Sequence, residues 1–91
     1  MNADFEEYNW YSASYHYTKA IRSNHNTVNI DEIIQLACAY KTAGNLYKLL
    51  GVNHQASECF EKASIQFKRA NLSDLADYAH RQHIYCDSLV E

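Results

Sequence analysis

Residues 37–63 read A-C-A-Y-K-T-A-G-N-L-Y-K-L-L-G-V-N-H-Q-A-S-E-C-F-E-K-A. The stretch divides into two helical segments around one break, Gly51-Val52-Asn53. Ala37, Ala43 and Gly44 recur at helical spacing before the break, Ala56 and Ala63 after it, with Tyr40, Tyr47 and Phe60 interleaved. Small residues let two helix backbones approach, and aromatic rings fill the space beside them. The pattern predicts a helical hairpin.

Composition points the same way. The chain has 91 residues, no proline and two glycines, Gly44 and Gly51. An all-β fold needs tight turns and their turn residues, so an all-helical chain is expected. Apolar residues make up 47%, enough for a core in one domain spanning residues 1–91. The formal net charge of −3 and a pI near 5.9 argue against a nucleic-acid partner, which calls for a basic face. No window approaches the roughly 18 apolar residues of a membrane span, and the N-terminus lacks a basic, apolar leader. Cys38, Cys59 and Cys86 are an odd, scattered set, read as reduced core thiols in a cytoplasmic protein.

Outward from the hairpin, four helices are expected at about 3–23, 30–50, 54–70 and 74–89. Asn2, Asn29, Asn53 and Ser73 are the expected N-caps, with Glu32 completing a capping box after Asn29 and Gly51 closing the second helix. In the first helix Trp10, Ala13, Tyr17 and Ala20 form one stripe, and Tyr8, Tyr11 and Tyr15 a second. In the third, Ala56, Phe60, Ala63, Phe67 and Ala70 form the stripe, with Glu58 and Lys62 paired on the outside. In the fourth, Leu75, Ala79, Gln82, Cys86 and Leu89 mark the inner face, with Ala76 and His83 alongside.

The 37–63 stretch resembles a tetratricopeptide repeat. That family places, at fixed spacing, a bulky residue, a small one, Gly or Ala, Tyr, Ala, an aromatic and Ala. Tyr40, Ala43, Gly44, Tyr47, Ala56, Phe60 and Ala63 meet all of these in order. The first helix echoes the second half of the pattern in Ala13, Tyr17 and Ala20. The segment A-Y-K-T-A-G-N-L-Y is also similar to the hairpins of soluble NSF-attachment proteins. Lys68 stands where the family has proline, and at most one and a half repeats are present. The resemblance implies an all-α, four-helix antiparallel bundle of tetratricopeptide-like helical hairpins that works by binding protein. A microtubule-interacting-and-trafficking-like helical domain is an alternative of similar size.

The resemblance also singles out Lys41 and Asn45, which occupy positions where tetratricopeptide domains grip a peptide carboxylate; Cys38, Thr42, Lys48 and Leu49 would share that face. His80, His83, Cys86 and Asp87 fall on one side of the fourth helix and are zinc-ligand types, but they lack the usual pairing of ligands from separate segments. No serine elbow, phosphate loop or paired catalytic carboxylates are present, so no enzyme activity and no cofactor are expected. The expected function is a small non-catalytic adaptor or scaffold that self-associates as a homo-oligomer and contacts another protein or peptide. The contact residues are Trp10, Tyr11, Tyr15, Lys41 and Asn45. A small regulatory inhibitor that blocks one enzyme complex is the competing expectation.

Overall fold

The computed structural model describes residues 3–90, with side chains from Phe5 onward. The expected Asn2 cap lies outside the described residues. Four helices follow one another: α1 (Ala3–Arg22), α2 (Ile30–Leu49), α3 (Asn53–Arg69) and α4 (Ser73–Ser88). Each lies within a residue or so of its expected bounds, and the fold is an all-α bundle. Close packing runs from α1 to α2, α2 to α3 and α3 to α4, while α1 and α4 are not packed together. The helices therefore form a row, elongated to 41 × 25 × 19 Å.

Short connections between packed neighbours make the helices antiparallel, and two of them are the same turn. After α2, Gly51 takes a left-handed φ of 79°; its N–H donates to Lys48 O at 3.0 Å and that of Val52 to Tyr47 O at 2.9 Å. After α3, Asn71 takes φ 60°; its N–H donates to Lys68 O at 3.0 Å and that of Leu72 to Phe67 O at 2.9 Å. Both are Schellman closures, the first on glycine and the second on asparagine, the two residues that best tolerate this backbone. The tightness of these turns corrects two expected caps. Val52 and Leu72, not Asn53 and Ser73, precede the helices, and neither start has a side-chain cap. The residue that finishes one Schellman turn also begins the next helix, for its carbonyl accepts from Ala56 N or Ala76 N.

The α1–α2 connection is longer and is held by side chains. Asn29 Oδ1 accepts from Glu32 N at 3.1 Å, as the expected cap. The Glu32 carboxylate does not return to the Asn29 N–H; it accepts from Thr27 Oγ1 at 2.6 Å, and Thr27 Oγ1 accepts that N–H at 3.1 Å. Arg69 of α3 reaches across and donates to the carbonyls of His25 (3.1 Å) and Thr27 (2.6 Å). His25 Nδ1 donates to Ser23 O at 2.8 Å, so its Nε2 accepts from the Tyr40 hydroxyl at 2.8 Å. The loop is thus tied to the centre of α2.

The core runs along the row. Leu36, Ala37, Tyr40, Ala43 and Tyr47 of α2 meet Ala56, Cys59, Phe60, Ala63 and Phe67 of α3, with Ala13 and Ala20 on one flank and Ala76, Ala79 and Cys86 on the other. At the centre Gly44 faces Phe60 so closely that a Cβ there would lie 3.2 Å from three ring atoms. The outer pair Glu58–Lys62 forms at 3.2 Å. Three expectations are corrected. Trp10 is not in the α1 core stripe; Asn9, one residue earlier, takes that place, while the Trp10 ring makes a T-shaped contact with Tyr47 and stays half exposed. Leu89, the residue that caps the C-terminus of α4, is exposed. Cys38 is exposed rather than a core thiol.

Two stability outcomes follow. Asn9 is 4% exposed and its Nδ2 has no hydrogen-bond partner among the described residues; an unpaired buried donor costs roughly 1–3 kcal/mol. Asn9→Leu should raise the thermal midpoint by about 4–8 °C per kcal/mol regained. Gly44→Leu, whose Cβ alone would already press on the Phe60 ring at 3.2 Å, should cost about 3 kcal/mol or more, read as a collapsed midpoint in urea.

Candidate functional site

The first candidate surface is the outward side of α1. The inner side of this helix is built from small residues, Ala13 and Ala20, which let α1 lie close on its neighbours. The large residues are on the outside: Tyr8, Tyr11 and Tyr15 are 67%, 71% and 53% exposed. They surround a shallow hollow completed by Ser12 and His16. The Tyr15 ring stands edge-on to His16, with centroids 5.2 Å apart. Trp10 differs from these tyrosines. With Tyr17, which is 6.1 Å from Tyr47 in a second edge contact, it closes the end of the core over Tyr47. Burial raises the hydroxyl pKa values of Tyr17, Tyr40 and Tyr47 above the ordinary tyrosine value.

The second surface is the seam between α2 and α4, where the two other expected contact residues lie. Lys41 and Asn45 are not an open pair. Both converge on Tyr78 of α4: the Lys41 ammonium is 5.7 Å from the ring centroid, and the Tyr78 hydroxyl donates to Asn45 Oδ1 at 3.3 Å. Two turns after Lys41 the pattern repeats. Lys48 Nζ donates to Gln82 Oε1 at 2.7 Å and stands 5.2 Å from the Tyr85 ring centroid. Each contact of this kind contributes about 0.5–1 kcal/mol near a surface. The seam is a ladder of lysines laid over tyrosines, bracing α4 against α2. Cys38 and Thr42 do not join it; they line a crevice with His16 and Lys19 of α1. The structure therefore places Tyr11 and Tyr15 on one surface and Lys41 and Asn45 on another, with Trp10 at the edge of the core.

The α4 zinc-type residues do not converge. Cys86 is fully buried, and burial raises its thiol pKa. His80 lies beside His83 with ring centroids 6.3 Å apart, but His83 turns towards α3. Among the described residues no group of three or more His, Cys, Asp or Glu is placed to hold a metal ion.

His83 joins an arrangement that sequence reasoning missed. Its Nδ1 is 2.9 Å from Ser57 Oγ, and its Nε2 is 3.3 Å from Glu61 Oε2. Serine, histidine and carboxylate stand in the order of a hydrolytic triad. The proton positions argue against that chemistry. Nδ1 also lies 3.0 Å from the Ser57 carbonyl, which only accepts, so Nδ1 carries a proton and cannot take one from Ser57. Ser57 itself is 4% exposed. The cluster is a clasp between α3 and α4. Ser57 and Glu61 are one helical turn apart, but nothing in the sequence connects them to His83.

The thiols differ in a way that is directly measurable. Burial pushes the Cys59 thiol up to about 12, and Cys38 alone of the three is exposed. In the native protein one thiol, Cys38, should react with a maleimide within minutes, and Cys59 and Cys86 only at the rate of unfolding. An unfolded thiol ionises near 8.5, and Cys59 keeps its proton in the fold. Its contribution is therefore full below that pH and lost as pH rises towards 12. Stability measured against pH should fall over this range.

Comparison with protein-family models, with curated proteins and with solved structures found no match.

Proposed function

We propose that this chain is a small, non-catalytic, tetratricopeptide-like helical module that acts as an adaptor or scaffold by binding protein, other copies of itself included. The observation that carries the reading is the inverted distribution of side-chain size on α1. A helix at the end of a row gains stability by burying its large apolar residues against the neighbour. Here the buried places go to Asn9, Ala13 and Ala20, and three tyrosines are left outside. Tyrosine combines a large rigid ring with a hydroxyl that tolerates water, which suits a surface that is wet when free and buried when bound.

The tetratricopeptide-like reading is supported by the glycine-on-aromatic contact of Gly44 with Phe60 and by a row of antiparallel helices that leaves both end helices with a free side. A cytoplasmic setting is part of the same proposal; no helix among the described residues is long and apolar enough to cross a membrane. We assign Lys41 and Asn45 to bracing α4 rather than to gripping a carboxylate, because both are engaged by Tyr78. Trp10 serves the binding face only from its edge.

The test is affinity capture with mass spectrometry, using the wild-type chain and two double variants of checked helicity. Replacing Tyr11 and Tyr15 by alanine should lower recovery of the bound protein at least about tenfold, as expected for aromatic anchors. Replacing Lys41 and Asn45 by alanine should leave recovery within about twofold while lowering thermal stability. Equal recovery with the tyrosine variant would overturn the assignment of the face.

A further inference from the structure

We infer that the tyrosine face of α1 is self-complementary and pairs with α1 of a second copy in antiparallel register about a two-fold axis. The inference rests on the reading of that face as a protein-binding surface and names its occupant. Opposite the buried stripe of Asn9, Ala13 and Ala20 runs an outward stripe of Glu7, Tyr11, Ser14, Tyr15, Thr18 and Arg22, at successive helical spacings. Its midpoint falls between Ser14 and Tyr15. Equidistant from that point are Ser14 and Tyr15, then Tyr11 and Thr18, then Glu7 and Arg22.

When two such helices lie antiparallel about that midpoint, Tyr11 and Tyr15 of the stripe each face a small side chain. Tyr15 of one copy lies over Ser14 of the other, and Tyr11 over Thr18. The outermost pair brings the Glu7 carboxylate to the Arg22 guanidinium at both ends, a match of donor fork to acceptor. The helix dipoles are also opposed, which favours this orientation. Parallel pairing would set Glu7 on Glu7 and Arg22 on Arg22. A closed two-fold contact uses the same patch on both copies. It requires no movement of α2, α3 or α4, since α1 lies at the end of the row and its tyrosines are already exposed.

The size of the contact sets its strength. A tyrosine buries about 150–250 Å² when fully covered, and Tyr8, Tyr11 and Tyr15 still expose more than half of their surface. The area they supply falls short of the roughly 1,200–2,000 Å² of a standard stable interface. The association is therefore reversible and concentration-dependent, not permanent.

Sedimentation of the full chain over a concentration series at low salt tests this, with helicity checked for each variant. The wild type should show a reversible monomer–dimer equilibrium. Arg22→Glu and Glu7→Arg should each weaken it roughly fivefold or more, since each turns two attractive end contacts into repulsive ones. The double variant carrying both changes should recover wild-type association but should not form mixed dimers with the wild type, a pattern that only the antiparallel register produces. Single variants that dimerise like the wild type, or a double variant that mixes freely with it, would overturn the inference. A wild type that stays monomeric throughout also overturns it. If a foreign protein is then captured in a way that depends on Tyr11 and Tyr15, the protein-binding reading stands with a different occupant. If nothing is captured, both readings fall.

Discussion

Phe60 lies against Gly44 with ring atoms 3.2 Å from where a Cβ would stand, and it also makes an edge-to-face contact with Tyr78 at 6.4 Å between centroids. This contact sets the distance between α2 and α3, because the ring fills the space that a side chain at position 44 would take. Tyr40 and Tyr47 lie along the α2 face that carries Gly44, and Phe67 continues the α3 face. Alanines occupy the remaining near-contact places, so the hairpin is a close-packed alternation of rings and methyl groups. The turns follow from that closeness. Two helices held this near each other leave room for only a three-residue link, and a left-handed residue is the way to reverse the chain in that length. Gly51 supplies it once and Asn71 again.

The row of helices has consequences for function. A closed bundle would use the large residues of every helix to fill a shared interior. In a row, each end helix packs mainly on the helix next to it and keeps one side free. At the α4 end the free surface is partly tied down by the Lys41, Asn45 and Lys48 contacts and by the His83 clasp. At the α1 end nothing in the described part of the chain covers Tyr11 and Tyr15. Ile84 and Tyr85 leave apolar surface on α4 as well, so what sets the α1 end apart is the clustering of three exposed tyrosines around one hollow.

Much of the fold was legible from residues 37–63 because close helix packing demands small residues and rings at fixed spacing, and such a pattern survives in the sequence. Helix bounds, the Asn29 cap and the Gly51 closure were legible for a similar reason: each depends on the chemistry of one or two local residues. What was not legible depends on direction or distance. Trp10 and Asn9 are equally placed on the flank of the α1 stripe, and only the position of Tyr47 decides which turns inward. Asn53 and Ser73 resemble caps, but the tight turns move the cap to Val52 and Leu72. What engages Lys41 and Asn45 is Tyr78, more than thirty positions away in the chain. The contact of His83 with Ser57 and Glu61 has no local signature at all. Of the candidate site, the sequence exposed the tyrosine stripe, since a second aromatic face on one helix is visible in spacing alone.

The central claim is that the outward face of α1, and not the α2–α4 seam, is where this chain meets protein. Amide chemical-shift mapping on dilution tests it most directly. The account predicts shifts confined to α1, strongest around Tyr11, Ser14 and Tyr15, with Lys41, Asn45 and Tyr78 unmoved. Shifts centred on Lys41, Asn45 and Tyr78, with α1 unmoved, would contradict it.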